Sequence, residues 1–160
     1  MLNNIYFMSL ADKINEEFKK AMTAKDELKV STLRMLRAGI QNLEIDLRAK
    51  KKELNDESIL EVVSREVKRR KESIEAFVKG LRQDLADKEL KELEILLSYL
   101  PEQLSDDQIR VMVQKKIKEI GAASPAEFGK VMGPVAKETK GKADGNRVSQ
   151  IVKEELGKIS

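Results

Sequence analysis

The chain has 160 residues, with 31 Lys and Arg against 28 Asp and Glu, a formal net charge of +3, and neither Cys nor His. Without Cys there is no disulfide framework, thiolate nucleophile or zinc-thiolate site, and without His the commonest general base and metal ligand is missing. Hydrophobic residues at 41% and charged residues at 37% suit a folded chain, and the low count of 8 Gly and 3 Pro favours helix throughout.

Small secreted domains usually carry cysteines, so the expected location is the cytoplasm. No apolar run approaches the roughly 18–20 residues of a membrane span, and no membrane association is expected. Residues 1–7 hold no basic residue and are too short for a signal peptide. They read as an alternative start or a cloning remnant, giving an N-terminal extension over residues 1–8.

Ser9 followed by Asp12 is a helix-capping pattern and predicts a first helix from Leu10 to Ala24. Lys25-Asp26 breaks it, with Asp26 free to cap the next. The second helix has the cleanest apolar stripe, Leu33, Leu36, Ile40, Leu43 and Leu47 at three/four spacing, and ends in a basic tail at 48–52. Asn55 can cap a third helix, with Leu54 stapled on Ile59 and an inner face of Leu60, Val63, Val67, Ile74, Phe77 and Leu81. Gly80 sits near its end. A fourth helix from Gln83 to Tyr99 presents Leu85, Leu93, Leu96, Leu97 and Leu100.

Pro101 stops the helical run and marks a subdomain boundary. Beyond it, Ser105 with Gln108 is a capping box for a helix carrying Ile109, Val113, Ile117 and Ile120, with Gly121 at its end. Ser124-Pro125-Ala126-Glu127 predicts a sixth helix starting at Pro125, bent or ended by Pro134. Asp144 can cap a last helix with Val148, Ile151, Val152 and Leu156 inward. No strand alternation and no internal repeat is present. The expected fold is all-α, with about four longer helices over residues 9–100 and about three short helices over residues 101–160.

Catalytic signatures are missing. The usual nucleophile triad needs His, and neither Walker A nor Gly-x-Gly-x-x-Gly occurs. Pairs such as Asp106-Asp107 fit a first helical turn, where carboxylates offset the dipole. A carboxylate-only Mg²⁺ site needs no sequence-close motif and stays open. No catalytic residue, metal ligand or cofactor is assigned.

Two basic stretches remain. Arg65 to Lys71 lies mid-helix, where Glu61→Arg65 and Glu66→Arg70 at i,i+4 suggest a solvated, paired face. Lys130 to Arg147 holds five basic residues (Lys130, Lys137, Lys140, Lys142, Arg147) against Glu138 and Asp144, a net +3 that equals the whole chain's. Gly133, Gly141 and Gly145 would let backbone N–H groups approach a ligand, and a helix N-terminus follows. That set suits phosphate, against the simpler reading of a surface turn. Apart from Phe128, no aromatic is available for base stacking, so binding would track backbone and shape.

Several separated motifs resemble one family in spacing and order: Tyr99-Leu100-Pro101-Glu102-Gln103-Leu104-Ser105, Phe128-Gly129-Lys130-Val131-Met132-Gly133 and Lys140-Gly141-Lys142-Ala143-Asp144-Gly145. Ser31 to Leu36 and Ser64 to Ser73 agree as well. The chain resembles the YqeY family over residues 8–160. That family shares its fold with the tail of the GatB subunit of the tRNA-dependent amidotransferase. The resemblance implies two all-α subdomains and contact with tRNA or with amidotransferase or other translation-related proteins. Where GatB tails tend to place Pro after Lys-Gly-Lys-Ala, this chain has Asp144-Gly145.

The expectation is therefore a non-catalytic tRNA-binding or amidotransferase-accessory module, with Lys130, Lys137, Lys140, Lys142 and Arg147 as phosphate partners and Gly129, Gly133, Gly141 and Gly145 shaping the backbone. The alternatives are a protein-interaction adaptor built on the longer helices and, behind it, a carbon–nitrogen ligase using glutamine as amido donor.

Overall fold

The computed structural model describes residues 8–159, so the expectation for residues 1–7 lies outside the described residues. Among the described residues, seven α-helices and one 3-10 turn form the fold and no strand occurs. The chain divides between Leu100 and Pro101 into two compact units.

The first unit holds α1 (Leu10–Thr23), α2 (Glu27–Ala49), α3 (Asp56–Lys79) and α4 (Gln83–Leu97). Each start except that of α4 is capped by a side chain. Ser9 Oγ accepts from Asp12 N at 3.2 Å, Asp26 from Lys29 N at 3.1 Å, and Asn55 from Ser58 N at 2.8 Å. Asp12 does not reach back to complete a box. The Leu10 N–H donates instead to Asp56 Oδ1 at 3.0 Å, so the first carboxylate of α3 caps α1 as well. The core is aliphatic: Ile14, Leu33, Leu36, Ile59, Val63 and Leu96 are almost wholly buried, with Phe18 and Tyr99 as its aromatic members. Tyr99 lies just beyond α4, and its hydroxyl donates a short hydrogen bond to Glu17 of α1.

Three sequence expectations for this unit are corrected. Leu81 does not face the core: it is 90% exposed and holds φ 56° as the left-handed residue after α3. Arg82 N closes back to Phe77 O at 2.8 Å and Leu81 N to Val78 O at 3.1 Å, a Schellman end whose glycine-favouring position falls one residue past Gly80. The stripe of α3 is also rotated, with Ile59, Val62, Val63 and Val67 buried and Leu60 only half-buried. Glu66 pairs with Arg69 at 3.2 Å, while Arg70 turns inward to Glu89 and Glu92.

The second unit holds α5 (Asp106–Ile120), a 3-10 turn (Pro125–Glu127), α6 (Phe128–Thr139) and α7 (Gly145–Gly157). The Ser105–Gln108 capping box forms, and Gly121 closes α5 at φ 72°. The expected start of the sixth helix at Pro125 is corrected to a 3-10 turn that hands over to α6 at Phe128. Pro134 lies inside α6 without ending it, forfeiting the bond its missing N–H would make to Lys130 O on the exposed side of the helix. Val113, Val131, Val135, Val148, Ile151, Val152 and Leu156 are fully buried, an almost purely β-branched core.

Candidate nucleic-acid interface

The segment from α6 to α7 carries the expected basic cluster. Lys130 and Lys137 are seven residues apart on α6, nearly two full turns, which brings them onto one exposed side of the helix. Lys140 and Lys142 follow in the turn, also exposed. Lys130 approaches Glu127 at 3.5 Å but stays 70% exposed, so this pair is weak and screened. Lys137 and Lys142 have no ion-pair partner among the described residues. The nearby acid Glu138 is engaged elsewhere, with Lys116 at 3.1 Å.

The turn itself is held rigidly by backbone bonds. Thr139 O accepts from Lys142 N at 2.9 Å and Ala143 N at 3.1 Å. Gly141 O and Lys142 O accept from Gln103 Nε2 at 2.9 Å and Leu104 N at 2.8 Å, which straps the turn to the chain entering α5. Gly141 sits at φ 75°, a conformation that favours glycine.

Other members of the expected set play structural parts. Arg147 forks onto Asp106, with Nε 3.0 and 3.1 Å from its two oxygens and Nη2 in a shorter contact, and Nη1 donates to Gln150 at 3.0 Å. That hydrogen bond holds the Asp106 carboxyl below its ordinary range and leaves Arg147 little capacity for a phosphate. The N-terminus of α7 is filled by its own cap: Asp144 Oδ1 accepts from Asn146 N at 2.9 Å and Arg147 N at 3.1 Å. Gly129 and Gly133 lie within α6 and Gly145 opens α7; beyond its chain neighbours, a Cβ on any of them would meet nothing within 4 Å. They do not mark a close backbone approach. Phe128 is half-buried against the core and covered by Lys153, 5.6 Å from the ring centroid, so it offers no face to a base.

Gly39, not singled out from the sequence, is the glycine that sits tightest against a side chain of another helix. A Cβ there would stand 3.2 Å from Val62 Cγ1, where α2 and α3 pass close. An isolated Gly in a strong helical stripe was the available signal. Among the described residues no group of three or more acidic side chains is placed to hold a metal ion, and no helix is long and apolar enough to cross a membrane.

Comparison with known proteins decides the family. The model of the family described as Yqey-like protein matches residues 11–156. The chain belongs to the YqeY-like family. Curated relatives of this YqeY-like chain are each named Altered inheritance of mitochondria protein 41, mitochondrial. The one from Lachancea thermotolerans is 37% identical over 123 residues, 76% of this chain and 64% of the relative. That from Kluyveromyces lactis is 34% identical, covering 74% and 66%, and that from Candida glabrata 31% identical, covering 81% and 74%. The YqeY-like chain thus spans just under two thirds of the first two relatives' own length. These names overturn the expected cytoplasmic location, since the relatives are mitochondrial proteins. The expectation rested on missing cysteines, which separate reducing from oxidising compartments but not one reducing compartment from another.

Proposed function

We propose that this YqeY-like protein is a non-catalytic module that contacts the phosphate backbone of tRNA as an accessory to tRNA-dependent amidotransfer. The observation that carries the reading is the row of exposed lysines, Lys130 and Lys137 on one side of α6 followed by Lys140 and Lys142 in a strapped turn. Without an exposed aromatic beside them, the row attracts charge and does not read bases. The compartment this reading takes is that in the relatives' names, the mitochondrion.

Binding of purified protein to total tRNA across a salt series tests it. Wild type should bind with affinity falling steeply with salt, because each neutralised phosphate releases a counterion. A Lys130→Glu/Lys137→Glu/Lys142→Glu variant should lose binding while keeping its circular dichroism. Arg147 is left untouched, since reversing it would break the fork to Asp106. Salt-insensitive binding, or none, overturns the reading.

A protein-interaction adaptor is the second reading. It is favoured by the exposed apolar side chains Val78 and Leu81 where α3 turns into α4. Protein retained from a lysate after nuclease treatment, and lost in Leu81→Ser, would support it over RNA contact.

A further inference from the structure

The basic character of the first unit is not confined to the paired face of α3. A groove of about 490 Å3 runs along α1 and α2, lined by Ala11, Asn15, Arg34, Arg37, Gln41 and Leu54 among others. Its two arginines stand one turn apart on α2, and no carboxylate neutralises either among the described residues. Glu44, also on the groove, pairs only weakly with Arg48 at 3.3 Å, since both side chains are well exposed.

Arg37 is held in place before any ligand arrives. Its Nε donates to Asn15 Oδ1 at 2.8 Å, and its guanidinium lies over the Phe18 ring, 4.3 Å from the centroid. Stacking and the Nε bond fix the plane of the fork and leave both Nη groups without a partner among the described residues. A planar guanidinium locked on an aromatic face, with its paired donors unspent and a second arginine beside it, is the arrangement that recognises a tetrahedral oxyanion through two parallel hydrogen bonds. Most surface arginines of this chain are handled otherwise: Arg48, Arg69, Arg82, Arg110 and Arg147 each meet a carboxylate.

We infer that the α1–α2 groove is a phosphate-binding site. Arg37 supplies the oriented fork, Arg34 the second positive charge, and Asn15 is a positioning residue that acts through Arg37. The polar side chains of Asn15 and Gln41 and the apolar wall of Ala11 and Leu54 suit the remainder of a phosphorylated small molecule. The site is independent of the lysine row in the second unit, so either can fail without the other.

The test is side-chain NMR of the full chain, reading arginine Nε–Hε signals and the backbone amides of residues 34–41. Inorganic phosphate, adenosine 5′-monophosphate and total tRNA are titrated in turn. Saturable shifts with phosphate or the nucleotide, about tenfold weaker in Arg37→Lys for the loss of one charge-assisted hydrogen bond, support a small phosphorylated ligand. Arg34→Gln, at an exposed position without partners, should weaken binding without altering the fold. Shifts with tRNA alone, kept in the Lys130→Glu/Lys137→Glu/Lys142→Glu variant, support the site with RNA backbone as the phosphate source. No shift with any probe, or equal affinity in Arg37→Lys and Arg34→Gln, overturns the inference.

Discussion

Arg70 and Glu92 meet at 3.1 Å inside the first unit, where their side chains are 10% and 8% exposed. Glu89 joins from the next turn of α4 at 3.2 Å, and Met35 Sδ closes the other side at 3.5 Å. The cluster ties α3 to α4 through charge in a largely apolar interior.

Removing one partner from such a cluster costs more than removing all of it. Arg70→Met leaves two inward carboxylates without their cation and should cost about 3–5 kcal/mol. Adding Glu92→Leu to Arg70→Met should recover much of that. Urea unfolding followed by circular dichroism measures both; a single variant as stable as wild type would mean that water already solvates the group.

Leu81 is expensive where it stands. A left-handed conformation is unfavourable for a residue with a β-carbon, and the side chain gains no burial. Leu81→Gly should therefore stabilise the first unit by about 0.5–1 kcal/mol, read as a raised unfolding midpoint. An unchanged or lowered midpoint would show that Leu81 makes a contact of its own.

These two sites mark where the sequence was legible and where it was not. Leu33, Leu36 and Ile40 were readable because a helix that packs on one side repeats its apolar residues at its own period. The caps Ser9, Asp26, Asn55, Ser105 and Asp144 were readable because each acts within three residues. The inward turn of Arg70 was hidden because one of its acids lies 19 residues away, while the local pattern offered Glu66. Gly80 masks the role of Leu81 because composition signals a helix end only to within a residue or two. In the candidate interface the lysines were legible as charge. That Arg147 is spent on Asp106, 41 residues earlier, could come only from the fold.

The glycines of the second unit separate shape from contact. Gly129→Ala should leave tRNA binding unchanged and stabilise the unit by about 0.5–1 kcal/mol, since it adds helix propensity where a Cβ meets no neighbouring side chain. Gly39→Ala gains the same propensity but presses on Val62 Cγ1, so its benefit should be smaller. Thermal unfolding should show a smaller rise in midpoint for Gly39→Ala than for Gly129→Ala, and a loss of binding in Gly129→Ala would restore the close-approach reading.

Acid should loosen the second unit before the first. Asp106, Glu119, Glu127 and Glu155 are all held below their ordinary values, chiefly by Arg147, Lys116, the Ala123 N–H and Lys158 respectively. In the first unit Asp84 is held low in the same way, through Arg82. A carboxyl depressed in the folded state stabilises it above the unfolded value, about 4, and that stability goes as pH falls through the folded value. Amide exchange between pH 5 and pH 2 should show residues 148–156 losing protection ahead of residues 33–40. Simultaneous loss in both would count against this assignment.

The fork between Arg147 and Asp106 joins the opening turns of α5 and α7, the first and last helices of the second unit. Every residue of that unit's core lies at or beyond Leu104. Clamped across its first and last helices, this segment draws its cohesion from within residues 101–160.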